Sequence, residues 1–209
     1  VLISERLWIM SLDDRGLPRV TGAQVCVTAG LMLDLRSAAL IEWPGDRIRR
    51  TVKAAPEGLL GWAASRLEEV REPTQARFVI DALYPGAWEH VGMSLVDQGM
   101  ARMTRHGLRR KPRFSFTTTP LRREIVDASR ALLFDDATTH DDDAVLAVLG
   151  AAGIGDELLS RSPFTDESVA VAFADREPGS LQRQVDEAIS FALVPFYANG
   201  YYSTGANAG

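Results

Sequence analysis

The stretch Ala23-Gln24-Val25-Cys26-Val27-Thr28-Ala29-Gly30-Leu31-Met32-Leu33-Asp34-Leu35-Arg36-Ser37-Ala38-Ala39 decides the fold class. Read as a helix it is apolar on most of its sides, so it must lie at the centre of a domain with other elements covering it. It does not read as a membrane span. Asp34 and Arg36 interrupt it, and no apolar run in the chain approaches the roughly 20 residues a bilayer core requires. Toward the start, Leu2, Leu7, Trp8 and Leu12 recur near helical spacing over residues 2–12, and Asp13-Asp14-Arg15-Gly16 stops that helix. Residues 17–22 read as the loop between the two helices.

In the other direction, Ile41-Glu42-Trp43, Pro44-Gly45-Asp46 and residues 47–52 read as strand, turn and return strand with alternating faces. A helix over 57–69 repeats Leu59, Leu60, Ala63 and Leu67, and another over 74–83 is closed by Pro85-Gly86. The plan then repeats: helix over 88–100, short strand at 102–105, basic loop at 106–112, return strand at 113–117. Thr119 caps a helix that opens on Pro120 and runs through Ile125, Ala128, Leu132 and Leu133. Another runs from Thr139 to Leu149 and stops near Gly150 and Gly153, and the last covers 181–197, kinked or ended by Pro195. The expected architecture is mainly α, a single-domain helical bundle with short β-hairpins over residues 1–202, followed by a disordered tail at 203–209.

Composition agrees with a packed domain: 209 residues, 46% hydrophobic and 24% charged, which rules out disorder over the full length. The net charge of −5 excludes a generally basic nucleic-acid coat, and the single Cys26 excludes an internal disulfide or a Cys/His metal set. Glu5 and Arg6 break the opening apolar stretch, so it does not read as a signal peptide. The expected address is the cytoplasm, with peripheral attachment to a membrane surface left open.

Charge is uneven along the chain. Residues 1–134 hold 20 Lys+Arg against 15 Asp+Glu, whereas residues 135–209 hold 3 against 13. One basic cluster is Arg47, Arg49, Arg50 and Lys53; the other is Arg102, Arg105, Arg109, Arg110, Lys111 and Arg113, with His106 and no acid among them. Such a cluster costs self-repulsion. It either faces an external anion or meets the acidic half of its own chain. Arg offers a fork of donors to phosphate oxygens, and a helix followed by a basic hairpin is also the outline of a winged helix, whose wing touches the DNA backbone. Both readings share their electrostatics. The helix over 88–100 has few side chains suited to base contacts, Gln98 being one, which makes nucleic acid the lesser partner.

Other chemistry is weaker. His140-Asp141-Asp142-Asp143, with Asp135 and Asp136 nearby, has metal-ligand types, but its place in a first helical turn fits capping, and the glycine and spacing of a calcium loop are missing. Gly150, Gly153 and Gly155 follow a helix, not a strand, and read as a helix stop. There is no GxSxG elbow, and His90, His106 and His140 have no nucleophile partner in sequence. Cys26 reads as an inert core thiol. Trp8 and Trp62 read as core, and Trp43, beside a turn, as the better candidate for exposure. No catalytic residue, cofactor or metal ligand is expected.

The run Leu2-Ile3-Ser4-Glu5-Arg6-Leu7-Trp8-Ile9-Met10-Ser11-Leu12-Asp13-Asp14-Arg15-Gly16 before a buried apolar helix resembles the opening of the Golgi phosphoprotein 3 family. Leu95-Val96-Asp97-Gln98-Gly99, the hairpin after it and Thr117-Thr118-Thr119-Pro120-Leu121 resemble that family's second half, in the same order over residues 2–150. The resemblance implies a single helical domain with a protruding hairpin. It further implies a peripheral membrane adaptor that binds phosphatidylinositol 4-phosphate and retains glycosyltransferases. The family's headgroup residues fall near Arg19 or Val20, Thr28, Pro85 and Trp88, and its apolar hairpin tip falls on Lys111-Pro112-Arg113-Phe114, where only Phe114 keeps that character. The chain thus looks like a divergent, bacterial-type member that keeps the fold and not the pocket. The expected function is binding of an anionic-lipid or phosphoinositide headgroup by Arg19, Arg109, Arg110, Lys111 and Arg113. Phe114 is expected at a membrane contact or in a homo-oligomer formed through the hairpin.

Overall fold

The computed structural model describes residues 1–13, 18–104, 112–116, 120–134, 143–160, 166–175 and 178–198. Its centre is α2 (Ala23–Ser37), in which every residue from Val25 to Leu35 is buried. α1 (Ile3–Ser11), α3 (Leu59–Arg66), α4 (Ala76–Asp97), α6 (Ala144–Ala152) and α9 (Ser180–Ala198) all pack on it. The mainly α bundle expected from the sequence is the observed one.

The polar residue that interrupts the apolar run has a structural task. At the start of α1 the N-cap residue Leu2 offers no side-chain acceptor, and Glu5 takes only the Leu2 N–H, at 2.9 Å. Asp34 supplies one from α2, accepting from Ile3 N at 2.8 Å, Ser4 N at 3.0 Å and Ser4 Oγ at 2.6 Å. These are orphan donors that would otherwise be buried unsatisfied. Burial pushes the Asp34 carboxyl above its ordinary range, with the Ser4 bonds opposing. A few residues away Gly30 lets α1 and α2 close on each other, since a Cβ there would lie 2.7 Å from Leu7 Cδ1.

β1 (Ile41–Glu42), β2 (Arg47–Arg50) and β3 (Thr74–Gln75) form an antiparallel sheet in the order β1-β2-β3, with Ile41 opposite Arg50 and Arg47 opposite Gln75. The expected hairpin is present. Thr74 and Gln75, expected as the start of a helix, instead satisfy the open edge of β2, and the helix begins at Ala76. Within α4, Pro85 (ψ 99°) and Gly86 (φ 104°) break the helical dihedrals, dividing it into the two segments read from sequence.

β4 (Ala101–Thr104) and β5 (Arg113–Phe116) make the second hairpin, followed by α5 (Pro120–Leu133). Asp143 caps α6 by accepting from Val145 N at 2.8 Å and Leu146 N at 3.1 Å, and Gly153 ends it at φ 64°. Two elements escape the sequence reading: α7 (Gly155–Leu159) and α8 (Glu167–Asp175). Each is too short to show periodicity over a helical window, and α8 fully buries only Val169. α9 continues past Pro195 to Ala198, and the expected tail at 203–209 lies outside the described residues.

Candidate functional site

The second hairpin is assembled by alternation. Ala101 and Phe114 point inward and are buried, and Met103 and Phe116 are half-buried beside them. Trp8 of α1 receives them edge-on, with ring centroids 5.2 Å from Phe114 and 6.2 Å from Phe116. The Trp8 indole N–H in turn donates to the Trp88 carbonyl at 3.0 Å. Gly92 on α4 admits this packing, because a Cβ there would lie 2.7 Å from the Phe114 ring and 2.9 Å from Trp8. The base of the hairpin is therefore part of the core.

The same alternation turns Arg102, Thr104, Arg113 and Ser115 to solvent. The register sets Arg102 opposite Ser115 and Thr104 opposite Arg113, so both guanidinium groups share one outer face. Among the described residues no carboxylate forms an ion pair with either. The acidic half of the chain is met elsewhere: Asp143 lies 3.8 Å from Arg6, and Asp166 lies 2.9 Å from Arg130. Hydrogen bonds from Ser168 and Arg130 hold the Asp166 carboxyl below its usual range. Internal neutralisation, one of the two readings left open by composition, thus does not extend to these two hairpin arginines among the described residues.

The expected site residues fare differently. Arg113 is exposed on the outer face. Arg109, Arg110 and Lys111 lie outside the described residues. Phe114, expected at a membrane or oligomer contact, is only 2% exposed and is a correction: the strand's period of two turns it toward Trp8, on the face opposite Arg113. Arg19 is half-buried. Its backbone N–H donates to the Ser11 carbonyl at 2.7 Å, and its Nη1 is shut off from solvent without a hydrogen-bond partner among the described residues. Trp43, expected exposed, is 8% exposed and packs in the core, with the Arg36 guanidinium 6.0 Å from its ring centroid. Cys26 is buried as expected, which pushes its thiol up to about 12.

The basic residues of the first hairpin are largely engaged. Arg47 lies 3.5 Å from Asp46, Arg50 pairs with Glu72 through both its backbone N–H and its guanidinium, and Lys53 donates to the Ala38 carbonyl at 2.7 Å. Arg49 is exposed opposite Glu42 in the register.

A cavity of about 200 Å³ opens at the start of α2, lined by Pro18, Val20, Thr21, Gly22, Gln24 and Tyr84 among others. These positions neighbour Arg19, Val20 and Pro85, where the resemblance sets headgroup residues. No charged side chain lines it, and the Tyr84 hydroxyl donates to Gln24 Oε1 at 3.1 Å. Thr28 is buried in α2. The second segment of α4, the would-be recognition helix, exposes Glu89, His90, Asp97 and Gln98, and the Gln98 amide is committed to buried Glu5. That is a poor surface for a polyanion.

No curated protein matches the chain. A family model described as Golgi phosphoprotein 3 (GPP34) matches residues 3–190.

Proposed function

Since the chain belongs to the Golgi phosphoprotein 3 family, we propose that it is a non-enzymatic peripheral membrane adaptor that docks on anionic lipid headgroups through the outer face of β4 and β5. The observation that carries this reading is the pair Arg102 and Arg113, diagonal neighbours on one exposed face without a carboxylate partner among the described residues. They flank a run that contains Arg105, Arg109, Arg110 and Lys111 and no acid. A basic residue near an anionic bilayer surface contributes about 1 kcal/mol, so such a run supplies reversible attachment without an inserted segment. No helix among the described residues is long and apolar enough to cross a membrane. Recognition is by charge: the cavity at the start of α2 has no cation in its wall to fix an inositol phosphate.

Co-sedimentation with vesicles tests this. Binding is expected to phosphatidylserine vesicles and to fall steeply with salt, with phosphatidylinositol 4-phosphate no better at matched surface charge. Equal binding to phosphatidylcholine and phosphatidylserine, or none to either, overturns it. Loss of vesicle binding on adding modest duplex DNA would shift the same hairpin to nucleic acid.

A further inference from the structure

A cavity of about 300 Å³ lies far in sequence from the basic hairpin, between the turn joining β1 to β2, the start of α4 and the first turns of α9. That volume is at the lower end of small-ligand sites. One wall is apolar, formed by Trp43 and Ala188. Arg77 reaches it from the first turn of α4 and Arg183 from the first turn of α9. A third guanidinium, Arg36 at the end of α2, stands at the edge: it lies 6.0 Å from the Trp43 ring centroid, and its Nη1 donates to the lining residue Gln184 at 3.2 Å.

Two carboxylates share the lining, and they weigh unequally. Asp46 is 3.5 Å from Arg47, which is not among the lining residues, so its carboxylate is partly answered there by an exposed ion pair. Glu187 sits one turn after Arg183 on α9 and forms no ion pair with it or with any other described residue. The cleft therefore brings together Arg36, Arg77 and Arg183 against one uncommitted carboxylate, in a chain whose overall charge is negative. Arg183 also donates to the Pro178 carbonyl, which holds its guanidinium in place. Three guanidinium groups drawn from three separate elements, beside an aromatic wall, match a phosphate attached to a flat or apolar body.

We propose that this cleft is a binding site for a small phosphorylated anion, with Arg77 and Arg183 on the phosphate and Trp43 against the rest of the ligand. It is separate from the hairpin face and does not depend on the lipid reading. The phosphate is that of a soluble phosphomonoester or of a lipid headgroup, and the experiment tells these sources apart.

The full chain is titrated with inorganic phosphate and with adenosine monophosphate at constant ionic strength, and binding is followed by two-dimensional NMR. The Trp43 indole signal and the amides of residues 75–77 and 180–184 are expected to move, with the nucleotide binding more tightly than phosphate. Arg183 is exposed, so Arg183→Ala keeps the fold, and it should weaken nucleotide binding by at least about tenfold. Glu187→Gln should tighten it a few-fold by removing the opposing charge. The double variant Arg102→Glu/Arg113→Glu should leave it unchanged, which keeps a failure here distinct from a failure of vesicle docking. Phosphatidic acid vesicles that displace the nucleotide identify a headgroup as the source; failure to displace it identifies a soluble ligand. The proposal is overturned by the absence of localised shifts at millimolar ligand, by unchanged affinity in Arg183→Ala, or by weaker binding in Glu187→Gln, which would show that the carboxylate, and not the guanidinium groups, holds the nucleotide.

Discussion

In the first helix-then-hairpin unit Arg47 meets Asp46, Arg50 meets Glu72 and Lys53 meets the Ala38 carbonyl; in the second, Arg102 and Arg113 face solvent without a carboxylate among the described residues. The two units read alike, as a helix and then a cationic hairpin. The difference is a third strand. β3 brings Glu72 alongside β2, so the first hairpin is closed into a sheet and its charge is answered locally. Nothing among the described residues pairs with the free edges of β4 and β5. That hairpin is held only by its inner face, against Trp8, and its outer charge stays available. Basic composition alone does not distinguish a structural hairpin from a docking one; the local supply of acid does.

The severest way to break the contrast is to remove the inner face. Phe114→Ala should destabilise the protein by about 3–5 kcal/mol, read by urea denaturation, as for a fully buried aromatic. A loss below about 1 kcal/mol would mean the hairpin is not part of the core. Gly92→Ala comes next: its methyl would press on Phe114 and Trp8, with an expected loss of about 1–3 kcal/mol in the same measurement. The contrast is sharpened by paired charge reversals. Arg102→Glu/Arg113→Glu should weaken binding to phosphatidylserine vesicles by at least about tenfold. Arg47→Glu/Arg50→Glu should change it much less, because those groups are already engaged. Similar losses in both would erase the distinction.

The smallest effect expected is a pH dependence in the helix of the second unit. His90, though largely exposed, stacks on Trp62 with centroids 4.0 Å apart, and the partial desolvation there lowers its pKa from 6.5, with Glu89 partly opposing. The protonated ring is thus disfavoured in the folded state relative to the unfolded one. Its contribution is fully present above about pH 6.5, is lost as pH falls through the lowered folded value, and then levels off. Urea midpoints between pH 7.5 and 5 should show a shallow decline that His90→Gln reduces; an unchanged slope in that variant assigns the decline to other groups.

Much of this was legible in the residues. The all-round apolar character of 23–39 and the spacing of Leu2, Leu7, Trp8 and Leu12 place the central helices, and Pro85-Gly86 marks the break in α4. Other features were not. The place of Phe114 was misread because a strand alternates its faces every residue, and only the pairing says which face the body covers. Trp43 was misread because a turn neighbour is exposed only if nothing packs over it, and the core does. Asp34 looked like an interruption and is a cap for a helix 30 residues away. The charged cleft beside Trp43 had no signal at all, since Arg36, Arg77 and Arg183 are scattered through the chain.

The sequence by itself determined the helical class, the two hairpins and the uneven distribution of charge, because periodicity and composition act over neighbouring residues. Only the tertiary structure decided which cations remain uncommitted. Ion pairing depends on distances of a few ångströms between segments remote along the chain, and Arg6 with Asp143 or Arg130 with Asp166 cannot be matched before the fold brings them together.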